Sequence, residues 1–126
     1  MTLLPRTLTA LLAASALFAA GAAQAEYPER PVTMIVPFAA GGPTDNVARS
    51  LAEAMRPTLG QSVVVENKTG AGGTIGTSTV GRAEPDGYTV LLMHLGYSTA
   101  PSLYKNPGYD PDKTFAPIGP ACLPAA

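Results

Sequence analysis

Pro37-Phe38-Ala39-Ala40-Gly41-Gly42-Pro43-Thr44-Asp45 is the stretch best suited to hold a ligand, lying between an apolar β-branched run and an apolar pattern of helical period. A turn of this kind can hold an anion. A Gly pair lets the backbone approach a ligand closely, and the first turn of a helix carries N–H groups with no intrahelical acceptor. Together with the positive end of the helix dipole, those donors suit a carboxylate or phosphate without a charged side chain. Gly-Gly also serves simply to turn a chain, and the motif alone fits both readings.

Other candidate chemistries find less in the sequence. Gly70-Ala71-Gly72 with Gly76 imitates a dinucleotide fingerprint, which predicts an acidic residue at the end of the following strand; that strand ends Leu91-Leu92-Met93-His94. No Gly-Lys-Ser/Thr follows either glycine stretch, which argues against a P-loop. His94 is the sole histidine and the carboxylates are scattered, a poor basis for a metal site. His94 reads instead as a polar loop residue or hydrogen-bond donor. Asp110 and Asp112 flank Pro111 in a turn-like stretch, where Asp is favoured for local hydrogen bonding. Cys122 is a lone thiol in a tail without a neighbouring base. Asp45 is read as a cap or loop-ordering residue, since a carboxylate facing an anion would repel it. What remains is a site of main-chain donors and small polar side chains, which binds rather than reacts and calls for no cofactor.

The elements that must position these residues are legible by pattern. Val32-Thr33-Met34-Ile35-Val36 has the apolar continuity of a buried parallel strand. Val47, Ala48, Leu51, Ala52, Met55 and Leu59 then recur at helical spacing, with Thr44 or Asp45 as N-cap and Gly60 as C-cap, while Pro57 predicts a distorted last turn or an end near Arg56. Arg49, Glu53 and Arg56 fall on other faces of this helix. Val63-Val64-Val65 reads as a second strand, residues 68–76 as a glycine-rich turn opening a weaker helix to about Ala83, and Glu84-Pro85-Asp86-Gly87 as a turn. Tyr88 to Met93 reads as a third strand, followed by a hydroxyl-rich loop, His94 to Pro101, and a turn-rich remainder. Successive βα units imply a parallel sheet with right-handed crossovers, whose ligands sit outside the carboxyl ends of the strands. The three loops should therefore converge.

Composition sets the context. The chain has 126 residues and a formal net charge of -1 with its charges interspersed, so no basic face invites nucleic acid. Arg6, an apolar stretch from Leu8 to Ala20 and the ending Ala23-Gln24-Ala25 have the order of a secretory signal peptide, predicting cleavage after Ala25 and no membrane insertion of the mature chain. About 100 residues then remain, enough for one small domain. With one cysteine there is no internal disulfide.

Several ordered motifs carry a resemblance. Tyr27-Pro28-Glu29-Arg30-Pro31-Val32, Val36 through Asp45 with Ala48-Arg49, Val65-Glu66-Asn67-Lys68, Gly70 through Gly76, Pro85-Asp86-Gly87-Tyr88-Thr89, Ala100 through Tyr104, Tyr109-Asp110-Pro111 and Phe115 through Gly119 resemble the solute-binding proteins of tripartite tricarboxylate transporters, the Bug family. The resemblance implies an α/β protein with a type II periplasmic-binding-protein-like, two-lobed fold. Residues 26–119 correspond to the parallel-sheet βαβαβ half, an incomplete first lobe. It implies residence in the periplasm, capture of a small carboxylated solute and delivery to membrane permease subunits. By position it places ligand contacts at Phe38, Ala39, Gly41, Gly42 and Asp45 in the first loop, at Gly72, Gly73 and Thr74 in the second, and at Ser98 and Thr99 in the third. Members of the family are much longer, and residues 120–126 do not read as the strand expected there, so a truncated or frameshifted reading frame with impaired binding is expected. The alternative is a remnant that neither folds nor binds, for want of strands beside its sheet edge.

Overall fold

The structure, a computed structural model, describes residues 26–121; the expected signal peptide and Cys122 lie outside the described residues. Three parallel strands form the sheet: β1 (Val32–Val36), β2 (Val63–Asn67) and β3 (Thr89–Leu91), in the order β2-β1-β3. Helix α1 (Pro43–Leu59) connects β1 to β2, and α2 (Thr74–Gly81), preceded by a 3-10 turn at Ala71–Gly73, connects β2 to β3. A short helix α3 (Gly96–Leu103) follows. This is the expected parallel α/β unit. The third strand is shorter than the pattern predicts, although Tyr88 O and Leu92 N still bond to Thr33 N and Ile35 O of β1.

The strand sequences explain the layers. β1 is central and buried on both faces, with Val32, Met34, Ile35 and Val36 at 3% exposure or less. Met34, Val36 and Ala48 form the core, flanked by Leu51 and Met55 of α1 and by Val63 and Val65 of β2. β2 is an edge strand and alternates instead: Val63, Val65 and Asn67 are half-buried, Val64 and Glu66 exposed. Register aligns Val36 with Asn67, so Asn67 shares the α1 side of the sheet with Val36. On the opposite face α2 packs through small residues, with Gly76, Thr77 and Ser78 buried.

The helix ends show where local chemistry departs from the simplest reading. Pro43 occupies the first turn of α1 and Gly42 is the N-cap, with no side-chain cap bond, so neither Thr44 nor Asp45 caps the helix. Pro at the first position loses no hydrogen bond there. Pro57 does not end the helix, which continues to Leu59 and closes at Gly60 in the left-handed conformation, φ 69°, as expected for a C-cap. The hydroxyl-rich segment after β3 is not a loop but α3. Its Ser98 and Thr99 hydroxyls donate to Leu95 O at 3.1 and 3.3 Å, and back-bonding of this kind absorbs them into the helix.

Two glycines distinguish backbone conformation from space. A Cβ at Gly60 would meet nothing within 4 Å but would sit at positive φ, whereas one at Gly76 would lie 2.5 Å from Lys68 O and 2.8 Å from Pro37 Cβ. Gly60→Ala is expected to cost about 1–2 kcal/mol, the penalty of a left-handed L-residue. At Gly76 helix propensity favours Ala by about 1 kcal/mol, but overpacking against backbone reverses the sign, and Gly76→Ala is expected to be destabilising by about 1–3 kcal/mol. Denaturant unfolding of the two variants checks both values.

Candidate functional site

The site is built at the carboxyl ends of the strands, where β1 gives way to Pro37-Phe38 and the chain must reach the start of α1. Asp45 stands three positions into that helix and is 1% exposed. A buried charge is tolerable only when it is fully partnered. Arg49 Nε donates to Asp45 Oδ2 at 2.9 Å, the Gly41 N–H donates to the same oxygen at 2.8 Å, and Asn67 Nδ2 donates to Oδ1 at 3.0 Å. Asn67 Nδ2 also lies 3.0 Å from the Phe38 carbonyl, to which it donates. The result ties the end of β2, the first loop and the first two turns of α1 to one carboxylate.

The Arg49 hydrogen bond, followed by those from Gly41 and Asn67, draws the Asp45 carboxyl down to about 2 against the opposing effect of burial. Arg49 is raised in turn by its bond to Asp45. The sequence pattern puts Arg49 on an outer face of the helix and offers no role for Asn67. The available signals were the i, i+4 spacing of Asp45 and Arg49, and a polar residue ending an otherwise β-branched strand.

The three loops converge. The Phe38 ring stacks on His94 with centroids 4.2 Å apart and planes at 15°. A Cβ built on Gly73 would lie 3.0 Å from Met93 Cε and 3.5 Å from Phe38 Cζ, and one on Gly72 2.7 Å from the Tyr104 hydroxyl. Gly72 and Gly73 have φ of 62° and 95°, so glycine is required there for conformation as well as space. Tyr104, at the end of α3, is a neighbour that the motif reading did not assign to the site.

Within this arrangement the sequence-predicted residues fall into distinct groups. Phe38, Ala39, Gly41, Gly42, Gly72, Gly73 and Thr74 are brought to the same end of the sheet. The N–H groups of Gly42, Gly73 and Thr74 bond within their own turns, to Ala39 O, Gly70 O and Ala71 O. The first intrahelical bond of α1 runs from Asn46 N to Gly42 O, so the N–H groups of Thr44 and Asp45 precede the helical ladder. Ala39 and Ala40 are exposed at the rim. Asp45 faces its own loop, and Ser98 and Thr99 are exposed on α3 with their hydroxyls turned back.

The strand order β2-β1-β3 makes the gap between β1 and β3 the topological switch point, where open α/β sheets bind ligands. An open depression of about 340 Å³ lies beside the start of α1, bordered by Pro43, Thr44 and Val47, by Leu91 to His94 at the end of β3, and by Gly119 to Ala121. Its volume is at the lower end of small-molecule sites. The chemistry available is main-chain donation at a helix start, without a free carboxylate to oppose an anion.

Comparison with known proteins gives this site its context. A family model described as "Tripartite tricarboxylate transporter family receptor" matches residues 47–123. A UPF0065 protein from the TAR-I ttuE-ttuC' intergenic region of Agrobacterium vitis is 49% identical over 114 residues, covering 90% of this chain and 33% of that protein. The structure of the periplasmic binding protein BugD is 80% identical with a TM-score of 0.73, over 74% of this chain and 31% of the other. MatC from Rhodopseudomonas palustris, solved with bound malate, is 47% identical with a TM-score of 0.70, over 73% and 32%. The chain thus spans about a third of the length of these relatives.

Asp45 makes the loop's integrity pH-dependent. Its folded pKa lies below its ordinary value of 3.8, so its contribution is fully present above that value and is lost as pH falls toward about 2. Melting temperatures taken from pH 7 to pH 2 are expected to show Asp45→Asn less stable at neutral pH, with the gap to the unmodified chain closing between about pH 4 and pH 2. Parallel curves would contradict this role.

Proposed function

The chain belongs to the tripartite tricarboxylate transporter receptor family, and from that premise we propose that it contributes the first-loop half of a binding site for a small carboxylated solute. The observation that carries the proposal is the start of α1, where Thr44, whose N–H precedes the helical ladder, borders the depression while the loop's one carboxylate is buried and neutralised by donors of its own. One solute carboxylate accepts from the main chain of Ala39, Ala40 and Thr44, and the rest of the molecule extends across the depression toward His94. Binding of malate by MatC supports a carboxylic acid as the solute class.

The same reading gives the chain its setting. The solute is taken up in the periplasm and passed to the membrane permease subunits of a tripartite tricarboxylate transporter. The receptor description of the family and the periplasmic assignment of BugD support this placement. Among the described residues no helix is long and apolar enough to cross a membrane. The role is capture and delivery rather than catalysis.

Thermal melts of the 126-residue chain with dicarboxylates, tricarboxylates, aromatic acids and NAD test the proposal. A cooperative melt that rises with at least one carboxylic acid is expected, by an amount equivalent to about 2.7 kcal/mol when that acid is present at a hundred times its dissociation constant. NAD is expected to leave the melt unchanged. A melt indifferent to every acid, or stabilised by the nucleotide alone, would overturn the reading.

A further inference from the structure

His94 has no part in the Asp45 network, yet its ring is restrained twice. It lies flat on Phe38, and the Phe38 carbonyl is itself held by Asn67. The second restraint is the Gly96 N–H, which donates to His94 Nδ1 at 3.3 Å. A ring nitrogen that accepts a hydrogen bond carries no proton, so the neutral imidazole bears its proton on Nε2. Nε2 makes no hydrogen bond among the described residues, and His94 is exposed and borders the depression, as Thr44 does. The geometry thus leaves a side-chain donor of fixed tautomer on a fixed platform, bordering the depression beside the first loop whose Phe38 it stacks on.

We infer that His94 reads a second polar group of the bound acid and thereby separates dicarboxylates from monocarboxylates. This inference rests on the carboxylate-binding reading above and adds a specificity-determining residue to it. Main-chain donors at a helix start recognise one carboxylate and carry no information about the rest of the solute. A positioned imidazole N–H supplies that information, because a site built to donate to a polar group discriminates against the analogue that lacks it. Charge at the second group strengthens the hydrogen bond and its selectivity.

The test uses the 126-residue chain, titrated with succinate and with butyrate as its monocarboxylate counterpart, alongside His94→Ala and His94→Phe. Phenylalanine keeps the stack on Phe38 but not the donor. Both variants are expected to bind succinate about tenfold to a hundredfold more weakly, the scale of one hydrogen bond to an ionised group, and to bind butyrate as the unmodified chain does. Imidazole ¹⁵N resonances of the free chain are expected to report the Nε2–H tautomer. Succinate affinity unchanged in either variant, equal weakening for both acids, or an Nδ1–H tautomer would overturn the inference while leaving carboxylate binding intact. Failure of the unmodified chain to bind either acid would overturn it together with the reading on which it rests.

Discussion

A carboxylate almost cut off from water stands at the start of the long first helix, and its need for donors shapes what surrounds it. Asp45 takes hydrogen bonds from a side chain one turn further along α1, from the backbone of the preceding loop and from the end of the neighbouring strand. Removing a buried charge's partner costs far more than an exposed ion pair contributes, so these three contacts act together rather than as separate small terms. The loop cannot change shape without stranding the carboxylate. Parallel register between β1 and β2 is bound to the same requirement, since Asn67 reaches Asp45 only because it aligns with Val36 on the α1 side of the sheet.

The chemical consequence follows from where that charge is held. An acidic residue beside an anion site would ordinarily oppose binding. Here its oxygens are turned into the loop and covered by donors, leaving the helix start with its N–H groups and a positive dipole end. Glycines complete the arrangement from the other side. Gly76 lets α2 approach Pro37 and Lys68, and Gly73 sits against Met93 and Phe38, so the loops meet without an intervening side chain. Rigidity of this kind lowers the ordering cost of binding.

The sequence made much of this legible, and the parts it hid share a cause. The apolar continuity of Val32 to Val36 and the helical spacing from Val47 to Leu59 identify elements whose burial depends on pattern alone, and both appear where expected. Gly60 announces its own cap. Asp45 was legible as a loop-ordering residue but not as a partner of Asn67, because their contact depends on strand register, which no local pattern encodes. Ser98 and Thr99 look like ligand donors in sequence, yet a helix over Gly96–Leu103 turns their hydroxyls onto its own carbonyls. The turn-rich stretch after Asn106 likewise gave no sign that Tyr109 and Phe115 would pack against Tyr97 and hold it to α3.

We propose that the first loop is a preformed carboxylate cradle whose donors are main-chain N–H groups. Amide ¹H–¹⁵N correlation spectra of the 126-residue chain, recorded through a titration with a C4 dicarboxylate, address it most directly. The largest shifts are expected at Ala39, Ala40 and Thr44, with the Arg49 side-chain Nε–H resonance unmoved because its bond to Asp45 persists. Shifts concentrated away from the carboxyl ends of the strands, or a titration that disturbs Arg49 as strongly as the loop amides, would contradict the claim.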